Sequence, residues 1–156
     1  MENVLFLEPS VQTQQPCEIK EEYGSRSAHI EFDENSKAQT FLFSVPFEGD
    51  DATELESITF VSNELSKSTL DEYFELQKKN LMLKKPYDLS TTESDFIELI
   101  FTCTSKPGHS GDGERFTNTF PLYITVNDIN DKAPEFVGQP YQFSLKEVLK
   151  RKNFPY

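Results

Sequence analysis

Apolar and polar residues alternate in short runs along most of this chain. Ala28-His29-Ile30-Glu31-Phe32 is one such run, and Thr40 to Phe47 puts Phe41, Phe43, Val45 and Phe47 on one face. Ser57-Ile58-Thr59-Phe60-Val61 is another. Phe96 to Thr104 aligns Ile97, Leu99, Phe101 and Cys103, and Arg115 to Val126 gathers Phe116, Phe120, Leu122, Ile124 and Val126. A period of two belongs to a strand with one buried face. Tyr73-Phe74-Glu75-Leu76-Gln77 and Leu81-Met82-Leu83 flank Lys78-Lys79-Asn80 as the arms of a tight hairpin. Helix is expected to be slight, with one turn in Glu64 to Leu70. About seven short strands separated by turn residues predict an all-β, antiparallel β-sandwich.

The remaining stretches break this rhythm. Residues 1–16 carry Gln12-Thr13-Gln14-Gln15-Pro16 with little periodicity and are expected to form a flexible leader. Thr104 to Glu114 is rich in Gly and Ser and predicts a mobile loop between the last two strands. It lacks the Lys-Ser/Thr and the following helix that a phosphate cradle needs. Tyr141 to Glu147 alternates again, as the first strand of a second unit would. The basic run Lys150-Arg151-Lys152 ends the chain soon after and is expected to be the cut end of a fragment, not a surface for a membrane. The expected organisation is a leader over 1–16, a sandwich over 17–127, a linker over 128–136 and a truncated second unit over 137–156.

Charge narrows the function. The formal net charge of −12 repels nucleic-acid phosphates and suits cations. No run of eighteen or so apolar residues offers a membrane span. Met1 to Ser10 lacks the basic start and small-residue cleavage site of a signal peptide, so a secreted form is expected to be mature or truncated. His29 and His109 are the only histidines, with no nucleophile and acid at recognisable spacing and no zinc-type cluster, so no enzyme is expected. Cys17 and Cys103 are the only cysteines. In a reducing compartment they would be two separate thiols; outside the cell they could form one bridge closing a long loop, with a contribution of about 4–5 kcal/mol.

The most specific stretch comes after the last strand. Asp128, Asn130 and Asp131 fall within four residues, and Pro134 stiffens the backbone just beyond them. Such residues make ordinary solvated turns, but calcium also collects six to eight oxygens from carboxylates, amides and carbonyls. The order decides between them. Asp128-Ile129-Asn130-Asp131-Lys132-Ala133-Pro134-Glu135-Phe136 resembles the cadherin linker motif, Asp-x-Asn-Asp-Asn-x-Pro-x-Phe, with Lys132 in place of the last Asn. Asp33-Glu34-Asn35 resembles the segment carrying the basal Glu of a cadherin repeat, with Glu34 the match. Lys85-Pro86-Tyr87-Asp88-Leu89-Ser90 resembles the Leu-Asp-Arg-Glu motif, with Asp88 matching its Asp and Ser90 replacing its Glu. Glu147 resembles the basal Glu of a following repeat.

The resemblance implies an all-β, seven-stranded Greek-key β-sandwich, the cadherin repeat, with Ca2+ as cofactor. It assigns Glu34 and Asp131 to bridge neighbouring ions, Asp88 to the outermost ion, Asp128 to the middle one and Asn130 to the ion nearest the second repeat. Ile129 and Lys132 would offer only their backbone carbonyls. Ser90 removes a carboxylate and Lys132 adds a positive charge, so the implied site is weak and incomplete. Glu48-Gly49-Asp50-Asp51 stands where a repeat carries its Asp-x-Asp pair and is expected to be a solvated turn.

The absence of Trp excludes adhesion by exchange of a Trp-bearing strand, as in classical cadherins. The positions of Cys17 and Cys103 resemble the N-terminal repeat of protocadherin-15 and its invertebrate relatives, where the two cysteines bridge. The resemblance therefore implies a calcium-dependent, non-classical cell-adhesion module. It would contact another cadherin, the same or different, through its N-terminal tip, in cell–cell, microvillar or tip-link contacts. The expected location is the extracellular side of the plasma membrane, in a membrane-anchored parent. The rival expectation is a calcium-independent secreted β-sandwich binding domain.

Overall fold

The computed structural model describes residues 14–108 and 113–130. Seven strands occur among them: β1 (Ala28–Asp33), β2 (Thr40–Ser44), β3 (Leu55–Ser62), β4 (Phe74–Gln77), β5 (Asn80–Leu83), β6 (Phe96–Ser105) and β7 (Thr117–Asn127). They form two sheets, one ordered β1-β7-β6-β3 and the other β2-β5-β4. β1 lies parallel to β7, and the other pairs are antiparallel. This all-β, two-sheet architecture is the one the alternating pattern predicts, and its strand order is consistent with a Greek key.

The inward residues of the longest strands form the centre of the core. Ile97, Leu99, Phe101 and Cys103 of β6 are fully buried, as are Phe120, Leu122 and Ile124 of β7. Leu81 and Leu83 face them from the smaller sheet, with Phe74, Tyr87, Val45 and Phe47 closing the ends. Phe116 lies before β7 and is only half-buried.

β2 departs from the expected single face. Phe41 is 56% exposed, whereas Leu42 and Phe43 pack on the core. The pairing of β2 with β5 shifts register between Phe41 and Phe43, so Leu42 is an extra residue that resets the parity. Tyr73 also departs from expectation, since it closes helix α1 (Lys67–Tyr73) and does not begin β4. Ser66 caps that helix by accepting a hydrogen bond from Thr69 N at 3.2 Å. The hairpin of β4 and β5 turns on Lys78 and Lys79, with Lys78 at φ 57°.

The outward face of the larger sheet carries an apolar stripe. Val61 and Pro121 both stand opposite Ile100, and Phe96 stacks on Tyr123 with ring centroids 6.1 Å apart. The expected second-unit strand at Tyr141 to Glu147, most of the leader and the linker from Asp131 onward lie outside the described residues. Pro16, assigned to the leader, is buried.

Candidate metal centre

β1 and β7 run side by side up to the pair Asp33 and Asn127. Asn127 Nδ2 donates to Asp33 Oδ1 at 3.2 Å, and Glu34 N donates to the Asn127 carbonyl at 3.0 Å. The two strands therefore leave the sheet at the same level, which sets Glu34 beside the start of the linker.

The third segment is fixed by Tyr87. Its ring is fully buried against Phe32, Phe74 and Tyr73. Its hydroxyl donates to the Ser94 carbonyl at 3.1 Å, and its own carbonyl accepts from Asn35 N at 3.1 Å. Burial raises the Tyr87 phenol above its usual pKa. Tyr87 thus ties the 85–90 turn to the residue after Glu34.

Glu34 joins all three segments. Its Oε2 accepts from Leu89 N and its Oε1 from Ile129 N, each at 3.2 Å. The side chain lies at the domain end with only 8% of Glu34 exposed, and it makes no ion pair among the described residues. Burying a carboxylate is costly without a partner of opposite charge, and the two donors here are neutral amides.

Asp88 sits in the adjoining turn. Its Oδ1 accepts from Ser90 N at 2.9 Å and from the Ser90 hydroxyl at 2.5 Å, capping the short helix α2 (Leu89–Thr92). Ser90, which stands where the motif carries Glu, is therefore a donor to Asp88. Asp128, Ile129 and Asn130 follow β7 as exposed residues. Asp131 and Lys132 lie outside the described residues.

The donor set suits a hard cation. Glu34, Asp88, Asp128 and Asn130 offer carboxylate and amide oxygens, and Ile129 offers a carbonyl, the donors calcium takes. The set is sparse: among the described residues no group of three or more His, Cys, Asp or Glu side chains is close enough to hold a metal. The sequence missed the hydrogen bonds from Leu89 N and Ile129 N, because no residue type signals a backbone donor.

The opposite end is built differently. Cys17 and Cys103 form a disulfide with Cα atoms 5.5 Å apart, and both are buried. This settles the open alternatives for the two cysteines in favour of one bridge. Cys17 N donates to Glu48 O at 3.0 Å and Glu48 N to Glu18 O at 2.7 Å, so residues 17–20 pair with 46–48. Gly49 has φ 105°, and a Cβ there would lie 2.8 Å from Leu55 Cδ2, which explains glycine at this close approach. Asp50 Oδ1 accepts from Ala52 N, Thr53 N and the Thr53 hydroxyl. Those bonds, the Thr53 amide first, hold the exposed Asp50 carboxyl below its usual pKa.

Seven strands in two sheets, with three chain segments meeting at one end, match the fold of solved cadherin repeats. The named relatives are cadherins. The chain is 32% identical over 74 residues to Cadherin-99C of Drosophila melanogaster, covering 47% of this chain and 4% of that protein. It is 32% identical over 111 residues to protocadherin alpha-11 of Homo sapiens, covering 65% of this chain and 11% of that protein. The chain thus spans a small part of either relative. A structure of Drosophila N-cadherin EC1-4 superposes with TM-score 0.54 at 25% identity, over 70% of this chain and 25% of that one. The protocadherin gammaB7 EC3-6 cis-dimer structure has the same fold, with TM-score 0.56 at 15% identity over 76% of this chain and 28% of that one. No family model matches the chain. The relatives and structures together support placement in the cadherin superfamily.

Proposed function

We propose that this chain is the N-terminal repeat of a larger, membrane-anchored cadherin, acting as a calcium-dependent, non-classical adhesion module outside the cell. The observation that carries the reading is the Glu34 carboxylate, which gathers Leu89 N and Ile129 N at one end of the sandwich. Glu34, Asp88, Asp128, Asn130 and Asp131, with the carbonyls of Ile129 and Lys132, would hold Ca2+. The bound ion would offset the repulsion among these acidic groups and fix the angle to a following repeat. The organisation in this reading is a sandwich over 17–127, a linker over 128–136 and the start of a second repeat over 137–156.

The partner in this reading is another cadherin, the same or different, in cell–cell, microvillar or tip-link contacts. The disulfide at the end carrying the N-terminal segment supports kinship with the N-terminal repeat of protocadherin-15. The outward stripe of Val61, Ile100, Pro121, Tyr123 and Phe96 supplies apolar area for a protein contact on the larger sheet, from mid-strand toward the linker end. None of the named relatives is an enzyme by name.

Thermal unfolding in chelator and in millimolar calcium tests the reading. A weak site filled to between ten and a hundred times its Kd adds about 1–3 kcal/mol, and Asp131→Ala should remove that gain. An unfolding temperature indifferent to calcium would leave the rival, a calcium-independent secreted binding sandwich. One observation favours that rival: Ser90 supplies no carboxylate and engages Asp88 Oδ1 instead.

A further inference from the structure

Lys79 has no part in the linker site, yet its ammonium is set among oxygens. It lies in the β4–β5 turn, at the end of β5 opposite to the one leading to Asp88. Lys79 Nζ donates to the Phe47 carbonyl at 2.9 Å and to the Gly49 carbonyl at 2.5 Å, and stands 3.8 Å from Asp51 Oδ1. Its side chain is only 19% exposed, so most of its hydration is replaced by these oxygens. A second ammonium, that of Lys106 after β6, donates to the Ala52 carbonyl. Carbonyls at 47, 49 and 52 therefore point at side-chain cations brought from two other parts of the chain.

Two carbonyls and a carboxylate around one positive charge are the donors a calcium ion would take. Here the charge is covalently part of the chain. We infer that the Lys79 ammonium is the resident cation of this end: it holds the Phe47–Asp51 turn in place and closes that turn to divalent ions. The turn is then rigid whatever the calcium concentration, so the disulfide-bearing tip keeps its shape when calcium is withdrawn. Only the contrast with the linker end rests on the proposed function; the holding role of Lys79 stands without it.

Amide hydrogen exchange on the whole chain, in chelator and in millimolar calcium, tests it. The amides to monitor are Glu48, bonded to Glu18 O, and Leu55, bonded to Asp50 O. The Val45 amide, bonded to the Lys79 backbone carbonyl, reports whether the hairpin itself survives. In Lys79→Met, exchange at Glu48 and Leu55 should quicken by about tenfold or more, in chelator and calcium alike. Lys79→Arg, which keeps the charge, should retain most of the protection. Unchanged protection in Lys79→Met overturns the inference, and so does calcium-dependent slowing at Glu48 and Leu55 in the unaltered protein. Absence of any calcium effect at the Leu89 and Ile129 amides would instead count against the linker reading and leave the Lys79 result standing.

Discussion

At one end of the sandwich, Lys79 stands against two carbonyls and Asp51, and Cys17 is bonded to Cys103. At the other, Glu34 is buried and, among the described residues, accepts from two backbone amides. Both ends collect segments distant in sequence, and both do so around charge. The first brings its own positive charge, and its cross-link is covalent. The second assembles negative charge and, among the described residues, answers Glu34 with no side-chain cation. In a chain with a net charge of −12, this end suits the soluble cation of the proposed function. In the proposed reading, the contrast is between a tip fixed at all times and a linker fixed only by calcium.

The largest expected effect comes from breaking the fixed end. Cys17→Ser with Cys103→Ser opens a link spanning 86 residues. The chain-entropy account gives a loss of about 4–5 kcal/mol, to be read as a lower midpoint in urea. The loss should be the same with and without calcium. A calcium-dependent loss would mean that the two ends are coupled, and the contrast between them would fail.

Glu34 sharpens the other side. Glu34→Ala leaves Leu89 N and Ile129 N without their acceptor, which should lower stability in chelator by about 1–2 kcal/mol. Glu34→Gln keeps one acceptor oxygen and should lose less. Both should remove the calcium-dependent gain, because neither presents a carboxylate. If Glu34→Gln retains the full gain in unfolding temperature, the residue is a structural clamp and not a ligand. Tyr87→Phe probes the support beneath it: losing the bond to Ser94 O should cost about 1 kcal/mol, with the calcium gain intact.

Much of this contrast is legible in the sequence, and unevenly so. β6 and β7 alternate strictly because they are long and central, and their buried residues are the ones expected. β2 escapes the pattern because a one-residue bulge at Leu42 inverts parity, and nothing in Thr-Phe-Leu-Phe-Ser marks where the partner strand shifts. Tyr73 reads as a strand residue because aromatic residues favour strands, but the cap at Ser66 starts a helix that runs through it. At the linker end, motif order points to Glu34, Asp88 and Asp128 to Asn130, and the structure gathers their segments. Asp131 and Lys132 fall outside the described residues. What no motif carries is Lys79: a lysine in a hairpin turn reads as solvated, and only the fold reveals the carbonyls of Phe47 and Gly49 beside it.

The smallest effect concerns Asp50, whose carboxylate could be mistaken for spare charge at the tip. Its Oδ1 is already engaged by the Thr53 amide, the Thr53 hydroxyl and the Ala52 amide, with Lys79 adding a weaker attraction. These hold its folded pKa below the ordinary value of 3.8. A carboxyl with a depressed folded pKa contributes stability that is present above the unfolded value and fades as pH falls through the folded one. For Asp50 the contribution should persist at neutral pH and begin to disappear only below about pH 4. Asp50→Asn should therefore lower the unfolding temperature slightly at pH 7 and converge with the unaltered protein in strong acid. Curves that stay parallel down to strong acid would show that Asp50 acts through shape alone. The tip would then owe its order to Lys79 and the disulfide, and the acidic turn would be a passenger.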